Sequence, residues 1–230
     1  MKDAIRVQLP FATALYTTRA GGVSSGPYES LNLGPWTDDG PAAVAQNRDR
    51  LSAAIERPLV QARQVHGTTV RVWDDDADLT EAPEVDAHVT TRTDIAPIVL
   101  TADCLPVVLS SESGVAVVHA GWRGIVDGVL EAAIEQLRAL GAEDDTLHAS
   151  IGPGAGPCCY EVGGEAKEQL KSHLVGNNAD LKAAAGRRIA NAGADSVQDV
   201  GLCTICDERF FSHRRDNGVT GRQAGIAWRA

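Results

Sequence analysis

The chain has 230 residues, of which 43% are hydrophobic and 23% charged, and this ordinary globular composition excludes a largely disordered protein. Its 31 acidic and 21 basic side chains give a net charge of -10, which argues against a surface built to bind nucleic acid. The five cysteines form an odd number, so reduced thiols are expected rather than a disulfide scaffold.

Residues 1–10 are charged and alternating, without the apolar segment of a signal peptide. No apolar run reaches the length of about 18 residues that a membrane span requires. We therefore expect a cytoplasmic protein without a membrane partner.

Short strand-like runs alternate with a few helices along the chain. Strands are predicted at residues 5–9, 69–73, 87–91, 98–100, 107–109, 115–118 and 225–228. Asp38 and Asp39 can cap a first helix, which opens at Pro41 and ends before Pro58.

The strongest helical pattern begins near Trp122. Apolar residues at helical spacing continue to Leu137, and Gly141 is expected to end the helix. Two further helices are predicted at residues 165–173 and 181–192. Strands outnumber helices without alternating regularly with them, which favours the α+β class over a doubly wound sheet. Without a repeat or linker, residues 1–230 are expected to form a single domain.

The most informative stretch lies between residues 101 and 124. Cys104 comes just before one strand and His119 ends the next, so an antiparallel pair would place both at one sheet edge. His66 lies beside another strand. Two imidazoles and one thiolate are a competent zinc ligand set with a fourth position open. No close spacing ties the three residues together, so their spacing alone favours a small core cysteine and hydrogen-bonded structural histidines.

Two glycine-rich segments invite a binding interpretation. In the loop 17–28, backbone amides around Gly22 can turn toward an anion, and Arg19 and Ser24 can add donors. A hairpin loop whose glycines only permit positive φ explains the same pattern. The segment 152–157 contains prolines that do not match a dinucleotide fingerprint, so a rigid connector is expected there.

Cys203 and Cys206 form a CxxC pair. Such a pair can be redox-active or form half of a zinc knuckle, but no second CxxC completes one. Buried structural thiols are therefore expected. The arginines of the polar stretch 210–222 could hold an anion or be solvated.

Together these segments resemble the YfiH/YlmD family of bacterial proteins. The family is also described as laccase-domain or polyphenol oxidase proteins, peptidoglycan editing factors and laccase-domain purine nucleoside phosphorylases. The matching segments are TTRAGGVSSGPYESLNLG, NRDRL, QVHGTTV, TADCLPVVL, HAGWRG, IGPGAGPCCYEV and FFSHRRDNGVTGRQ, between residues 17 and 223. TADC followed at this distance by HAGWRG is highly specific.

The resemblance implies an α+β fold of two packed mixed β-sheets flanked by helices, similar to the catalytic domain of cytotoxic necrotizing factors. It implies a zinc ion held by His66, Cys104 and His119, which would also be the catalytic residues, with copper as an adventitious or alternative metal. The implied activity is phosphorolysis of adenosine, inosine and methylthioadenosine, together with adenosine deamination.

The implied partners are a small-molecule nucleoside and phosphate. Deamination needs an activated water, which a zinc ion can supply. Substrate-binding roles are assigned to Arg19, Gly22, Ser24 and Arg123, the first three as the phosphate site. A monomer or weak dimer is expected.

Three other functions stay open. A copper oxidase needs a histidine-rich cluster, yet only His66 and His119 of the six histidines lie in matching motifs. A cysteine-type amidase acting on a peptidoglycan precursor would use Cys104 as nucleophile and His119 as base. A binding module would hold a structural metal, which the open coordination position argues against. His88 stands where the family commonly has an apolar residue, and a satisfied core histidine or a polar group near the pocket would explain it.

Overall fold

A computed structural model describes residues 3–142 and 146–229 of the chain. The helices are α1 (Pro41–Ile55), α2 (Trp122–Asp127), α3 (Val129–Leu137), α4 (Gly164–Gln169) and α5 (Leu181–Asn191), with short helical turns at Gly26–Tyr28, Arg138–Ala142 and Lys171–His173. The strands are β1 (Ile5–Leu9), β2 (Ala12–Tyr16), β3 (Leu59–Val60), β4 (Val70–Val72), β5 (Ala87–Thr90), β6 (Ala96–Thr101), β7 (Leu105–Ser110), β8 (Val115–Ala120), β9 (His148–Ile151), β10 (Leu174–Val175), β11 (Asn178–Ala179), β12 (Ser196–Asp199) and β13 (Gln223–Arg229).

Two mixed sheets form the centre of the fold. The five-stranded sheet has the order β1-β2-β13-β6-β3, in which only β3 and β6 run parallel. The six-stranded sheet has the order β12-β9-β7-β8-β5-β4, with parallel pairs at both edges and antiparallel pairs between them. The predicted α+β class with two mixed sheets is confirmed.

Apolar side chains join the sheets and cover their outer faces. Between the sheets, Tyr16, Val99 and Val117 belong to one buried cluster, and the Tyr16 hydroxyl donates a 2.9 Å hydrogen bond to the Ser150 carbonyl oxygen on the facing sheet. Helix α1 packs on the outer face of the five-stranded sheet, and α3 and α5 pack on the six-stranded sheet. This layered arrangement leaves the ends of the strands free to carry a site.

Several helix predictions need correction. Helix α1 is capped by the backbone of Gly40 and not by a carboxylate, because Asp39 instead accepts a 3.0 Å hydrogen bond from the Asn32 side chain. The helix predicted from residue 122 is two helices, since Gly128 adopts a φ of 100° between them. The helix predicted at 165–173 is shorter than expected, because α4 ends at Gln169 and a separate helical turn follows at Lys171–His173.

Strands β2, β3, β9 and β12 and the small hairpin β10–β11 were not predicted. Strand β2 is buried along its whole length, but its sequence ATALY contains two alanines and a threonine and so lacks a strong apolar run. Within the part of the chain that the structure describes, no helix has both the length and the apolar composition needed to cross a membrane.

Candidate metal and active site

The antiparallel pair β7–β8 brings Cys104 and His119 together. Leu105 pairs with Ala120 and Pro106 with His119, so Cys104, one residue ahead of β7, lies at the same sheet edge as His119. The expected juxtaposition of these two residues is therefore confirmed.

His66 reaches this edge from the loop between β3 and β4. The loop is held by the buried carboxylate of Asp86, which accepts hydrogen bonds from the backbone N–H groups of Val65, His66 and Gly67 at 3.1, 3.0 and 2.7 Å. His66 itself has a φ of 61°, a conformation that non-glycine residues seldom adopt. Such local strain persists only where its surroundings impose it, and here three backbone hydrogen bonds do so.

The three side chains form a compact donor set. Cys104 Sγ lies 3.8 Å from His66 Nε2, and one donor atom from each of the three residues lies within 4.8 Å of the others. Ligand atoms bound to one tetrahedral zinc ion lie about 3.3–3.8 Å apart, given the usual zinc–ligand distances. His66, Cys104 and His119 therefore form a group that could hold a single metal ion, and their donor types suit zinc.

A glycine makes this approach possible. A Cβ atom on Gly121 would lie 3.0 Å from His66 Cδ2 and 3.2 Å from Cys104 Sγ. Since both distances are shorter than ordinary contacts, any side chain here would push the two ligands away. Gly121 thus preserves the geometry of the donor set.

Asp86 also orients His119, although the sequence analysis did not single it out. Its Oδ1 lies 2.7 Å from His119 Nδ1, in a buried pair. A proton on Nδ1 satisfies this carboxylate and leaves Nε2 as the nitrogen that binds a metal or accepts a proton. The available signal was an acidic residue directly before a predicted strand.

The electrostatics favour a thiolate at Cys104. Burial raises the pKa of this thiol, but the neighbouring His119 and His66 more than compensate and lower it to about 6. For His119, burial lowers the pKa, whereas Cys104 and Asp86 raise it to about 9. The thiolate is the form in which cysteine binds metals and acts as a nucleophile.

A cavity of about 430 Å³ opens over this donor set. Its volume is within the range of small-molecule sites. Besides the three donor residues, its lining consists of Gly34, Trp36, Thr37, Gln64, Leu100, Thr101, Ala102, Asp103, Trp122, Arg123, Tyr160, His213, Arg214 and Arg222. Aromatic rings and three arginines are thus available to a ligand beside the donor set.

The arginines of the pocket are positioned by neighbouring rings and carbonyl groups. Arg123 lies over the Trp122 ring at 4.3 Å, and Arg214 lies over the Tyr160 ring at 5.0 Å. Arg222 donates hydrogen bonds from Nη1 to two carbonyl oxygens of its own loop at 2.9 and 3.0 Å. Of the predicted substrate-binding residues, Arg123 is the one that the structure places in this pocket.

The other three predicted substrate-binding residues lie elsewhere. Arg19 borders a separate recess and donates from Nε to the Glu29 carbonyl oxygen at 2.7 Å. A Cβ on Gly22 would overlap the Ser30 carbonyl oxygen, so this glycine serves close packing. Ser24 is buried and accepts a 2.9 Å hydrogen bond from Asn47 Nδ2. Their role in phosphate binding stays a prediction.

Asp103 is a second residue that the sequence analysis missed. It adopts a φ of 93° directly before Cys104, and its buried carboxylate accepts hydrogen bonds from Thr204 Oγ1, Ser212 Oγ and the Arg214 backbone N–H at 2.7, 3.1 and 2.7 Å. Asp103 thereby attaches two parts of the connection between β12 and β13 to the strand that begins after Cys104. The sequence feature that could have identified Asp103 was its position directly before Cys104 in the TADC segment.

His88 is a core residue and does not line the pocket. It is fully buried on β5 and accepts a 2.9 Å hydrogen bond at Nδ1 from Trp73 Nε1. Its Nε2 has no hydrogen-bond partner within residues 3–142 and 146–229. The core interpretation is confirmed, but only one ring nitrogen is satisfied.

The prediction of buried thiols at the CxxC pair is wrong. Cys206 is exposed and Cys203 is half-buried. Both lie beside Cys158 and Cys159.

Comparison with known proteins places these motifs in a family. Residues 13–230 match the family described as multi-copper polyphenol oxidoreductase laccase. A protein of Corynebacterium glutamicum named purine nucleoside phosphorylase is 40% identical, with 93% of each chain covered. The Escherichia coli protein named purine nucleoside phosphorylase YfiH is 38% identical, with 94% of this chain and 93% of that protein covered.

Solved structures show the same fold. A Neisseria meningitidis protein superposes with a TM-score of 0.88 at 33% identity, covering 99% of both chains. YlmD from Geobacillus stearothermophilus superposes with a TM-score of 0.85 at 30% identity, covering 96% of this chain and 94% of that one. The resemblance inferred from the motifs is confirmed, and the chain belongs to the family described as multi-copper polyphenol oxidoreductase laccase, with YfiH and YlmD among its relatives.

Proposed function

We propose that the protein is a zinc-dependent purine nucleoside phosphorylase acting on adenosine, inosine and methylthioadenosine. The observation that carries this proposal is one cavity that combines the donor set, three aromatic rings and three arginines. The relatives named purine nucleoside phosphorylase support it, since they align over more than nine-tenths of this chain.

His66, Cys104 and His119 would hold the zinc ion. When bound, zinc supplies Lewis acidity at the floor of the cavity. The protein residues define the surroundings of that centre: Asp86 orients His119 and holds the His66 loop, while Gly121 leaves room for the ligands. Copper in the same donor set is the alternative occupant.

The aromatic residues of the cavity suit a purine base. Trp36, Trp122 and Tyr160 line the cavity, and their rings would offer apolar surface to a heterocycle. Burial, followed by the charge of nearby Cys104, raises the pKa of Tyr160 to about 12. The phenol therefore stays protonated at neutral pH and can donate a hydrogen bond to the departing base.

Phosphorolysis forms one bond and breaks another at C1′ of the ribose. A phosphate oxygen bonds to C1′ as the glycosidic C–N bond breaks. The electron pair of that bond goes to the purine, which takes up the proton that the attacking hydrogen phosphate gives up. The sugar 1-phosphate remains, which is ribose 1-phosphate for adenosine and inosine. Arginines beside the sugar would bind the phosphate and offset its charge.

Two places compete for the phosphate. One is the loop with Arg19, Gly22 and Ser24, and the other is the trio Arg123, Arg214 and Arg222. The trio shares a cavity with the proposed metal ligands, whereas Arg19 borders another recess. We therefore assign the phosphate to the pocket arginines.

Adenosine deamination is proposed as a second activity of the same pocket. Water replaces the 6-amino group of adenine, so that adenosine and water give inosine and ammonia. Three protein ligands leave a coordination position open, as in catalytic zinc sites. This donor set therefore supports hydrolytic as well as phosphorolytic chemistry.

A cysteine-type amidase is the second candidate function. The sequence of contacts from Cys104 to His119 and on to Asp86 has the order of a nucleophile, a base and an orienting acid. The lowered pKa of Cys104 agrees with this order. Its substrate would be an amide of a peptidoglycan precursor.

The histidines do not support a multicopper oxidase. A laccase-type reaction needs a histidine-rich trinuclear cluster besides a mononuclear copper. All six histidines lie within the described residues, and only His66 and His119 join a metal-competent group there. Weak oxidation by adventitious copper in that group would not contradict the proposal.

Product analysis with adenosine tests these functions. The zinc-loaded protein should release adenine and ribose 1-phosphate only when phosphate is present, and inosine in its absence. Cys104→Ser should lose both activities together with zinc. Failure of the zinc-loaded enzyme to form ribose 1-phosphate from adenosine or inosine, and 5-methylthioribose 1-phosphate from methylthioadenosine, would refute the phosphorylase assignment. Amide cleavage that survives zinc removal but not Cys104→Ser would establish the amidase instead.

A further inference from the structure

We propose that Cys158, Cys159, Cys203 and Cys206 form a second metal site, in which four thiolates bind a structural zinc ion beside the active-site pocket. This site shares no residue with the donor set of His66, Cys104 and His119. The inference is therefore independent of the proposed enzymatic function.

The four sulfur atoms are already gathered around one point. All four Sγ atoms lie within 4.8 Å of one another. The Sγ–Sγ distances are 2.7 Å for Cys159–Cys206, 3.2 Å for Cys158–Cys206, 3.4 Å for Cys158–Cys159 and 3.5 Å for Cys159–Cys203. In a tetrahedral zinc tetrathiolate, bonds of about 2.3 Å place neighbouring sulfurs about 3.8 Å apart. Lengthening these four distances by about 0.3–1.1 Å would produce this geometry.

Disulfide pairing explains the arrangement less well. Cys159 Sγ contacts all three other sulfurs within 3.5 Å, so the four atoms form a group and not two separate pairs. All the cysteines are free thiols, and each Sγ–Sγ distance above exceeds the disulfide bond length of about 2.05 Å. A shared central cation would offset the repulsion between four thiolates. Two disulfides carry no charge, so they would not require the four sulfur atoms to surround one point.

The backbone around the cluster resembles that of a zinc-binding turn. Cys203 and Cys206 are separated by a two-residue turn, and the backbone N–H of Gly156 donates to Cys203 Sγ at 3.2 Å. Gly154 and Cys203 also form a parallel β-bridge. Hydrogen bonds to thiolate ligands are a regular part of the surroundings of a metal site.

The second pair of ligands escaped the sequence analysis because it does not have the CxxC spacing. Cys158 and Cys159 are adjacent, and the fold places their turn against the CxxC turn. Together the two turns supply the four ligands of a closed structural zinc site.

The location shows what this zinc would stabilise. Cys159 adjoins Tyr160, which lines the pocket. Thr204, next to Cys203, donates a hydrogen bond to Asp103, which precedes Cys104. A metal bound here would fasten two loops that reach the active site from different parts of the chain.

Metal analysis of the purified protein tests the proposal. The wild-type protein should contain two equivalents of zinc per chain, and Cys104→Ser should retain one. The double variant Cys203→Ser/Cys206→Ser should also retain one, held by the other site. A wild-type chain that binds one equivalent, unaffected by the double substitution, would overturn the inference. So would iron in place of the second zinc.

A measurement on the wild-type chain covers the case in which the double variant does not fold. Cys158 and Cys206 are exposed, so an alkylating reagent should modify them after chelation but not in the zinc-loaded protein. Mass spectrometry of peptides reports both states. Equal modification with and without zinc would refute the site, as would disulfides among the four residues in protein purified anaerobically under reducing conditions.

Discussion

Asp86 Oδ1 lies 2.7 Å from His119 Nδ1, and the same carboxylate accepts the backbone N–H groups of the loop that carries His66. One buried acid therefore positions two of the three donors, although they come from distant parts of the chain. Burial raises the pKa of Asp86, but His119 and the loop N–H groups outweigh it and keep the pKa below its ordinary value. The carboxylate form needed for both tasks is thus preserved.

Asp86→Asn should weaken zinc binding about 10–100-fold, the usual effect of removing an outer-shell carboxylate. The neutral amide would no longer stabilise the orientation of His119 or satisfy all the loop N–H groups. Competition with a chromophoric chelator measures the affinity. Glu84→Gln is the control, because Glu84 is exposed and pairs with Arg63. Unchanged affinity in folded Asp86→Asn would show that Asp86 does not position these ligands.

Gly121→Ala should lower zinc affinity by about tenfold, equivalent to about 1.4 kcal/mol. The added methyl group would contact His66 and Cys104 at 3.0 and 3.2 Å and displace at least one of them. Gly163→Ala is the matched control, since a Cβ there meets no atom within 4 Å and its φ is -135°. The same competition assay applies, and equal affinities of the two variants would contradict the prediction.

His88 should make the stability of the protein depend on pH. Burial lowers its pKa to about 4, whereas a histidine in the unfolded chain titrates near about 6.5. Below about pH 6.5 the unfolded state takes up a proton that the folded state does not. The free energy of unfolding therefore falls as the pH is lowered from about 6.5 to about 4. Between pH 7.5 and pH 5 this loss amounts to about 2 kcal/mol.

His88→Gln isolates this contribution. Glutamine retains an acceptor for Trp73 Nε1 but has no titrating group. Urea unfolding at pH 7.5 and pH 5 should therefore show a smaller loss of stability in the variant than in the wild type. Identical losses would mean that His88 is not the responsible residue.

Arg123→Ala should raise the KM for phosphate about tenfold or more, because a hydrogen bond to a charged group contributes about 1.5–3 kcal/mol. Arg19→Ala should leave that KM near the wild-type value. Initial rates of ribose 1-phosphate formation at varied phosphate concentration measure both, with zinc content determined in parallel. If Arg19→Ala alone raised the KM, the phosphate would be assigned to the loop 17–28.

Elements of the fold could be predicted from sequence where a local apolar pattern corresponds to burial in the structure. Strands β7 and β8 are apolar runs buried along their whole length. Strand β2 resists prediction because two alanines weaken its apolar pattern, and β12 because it is a largely exposed edge strand. The order of strands depends on packing between distant segments, which no local pattern specifies.

The site could be predicted only where residue type and local sequence position were informative. Donor chemistry and strand positions were sufficient to nominate His66, Cys104 and His119. Asp86 resembles any acid before a strand, and its importance becomes visible only when the sheet places it beside His119. Which residues bind phosphate depends on which loops converge in the fold. The sequence alone therefore could not decide between the glycine-rich loop 17–28 and the scattered arginines as the phosphate-binding group.

The position of β13 has a consequence for synthesis of the protein. This strand, formed by Gln223–Arg229, lies between β2 and β6 in the middle of the five-stranded sheet. On the ribosome, the sheet therefore cannot close until these residues have emerged, whatever the earlier segments have already formed. Until then β2 and β6 expose unpaired backbone edges, so premature termination just before this strand should yield a chain prone to aggregation.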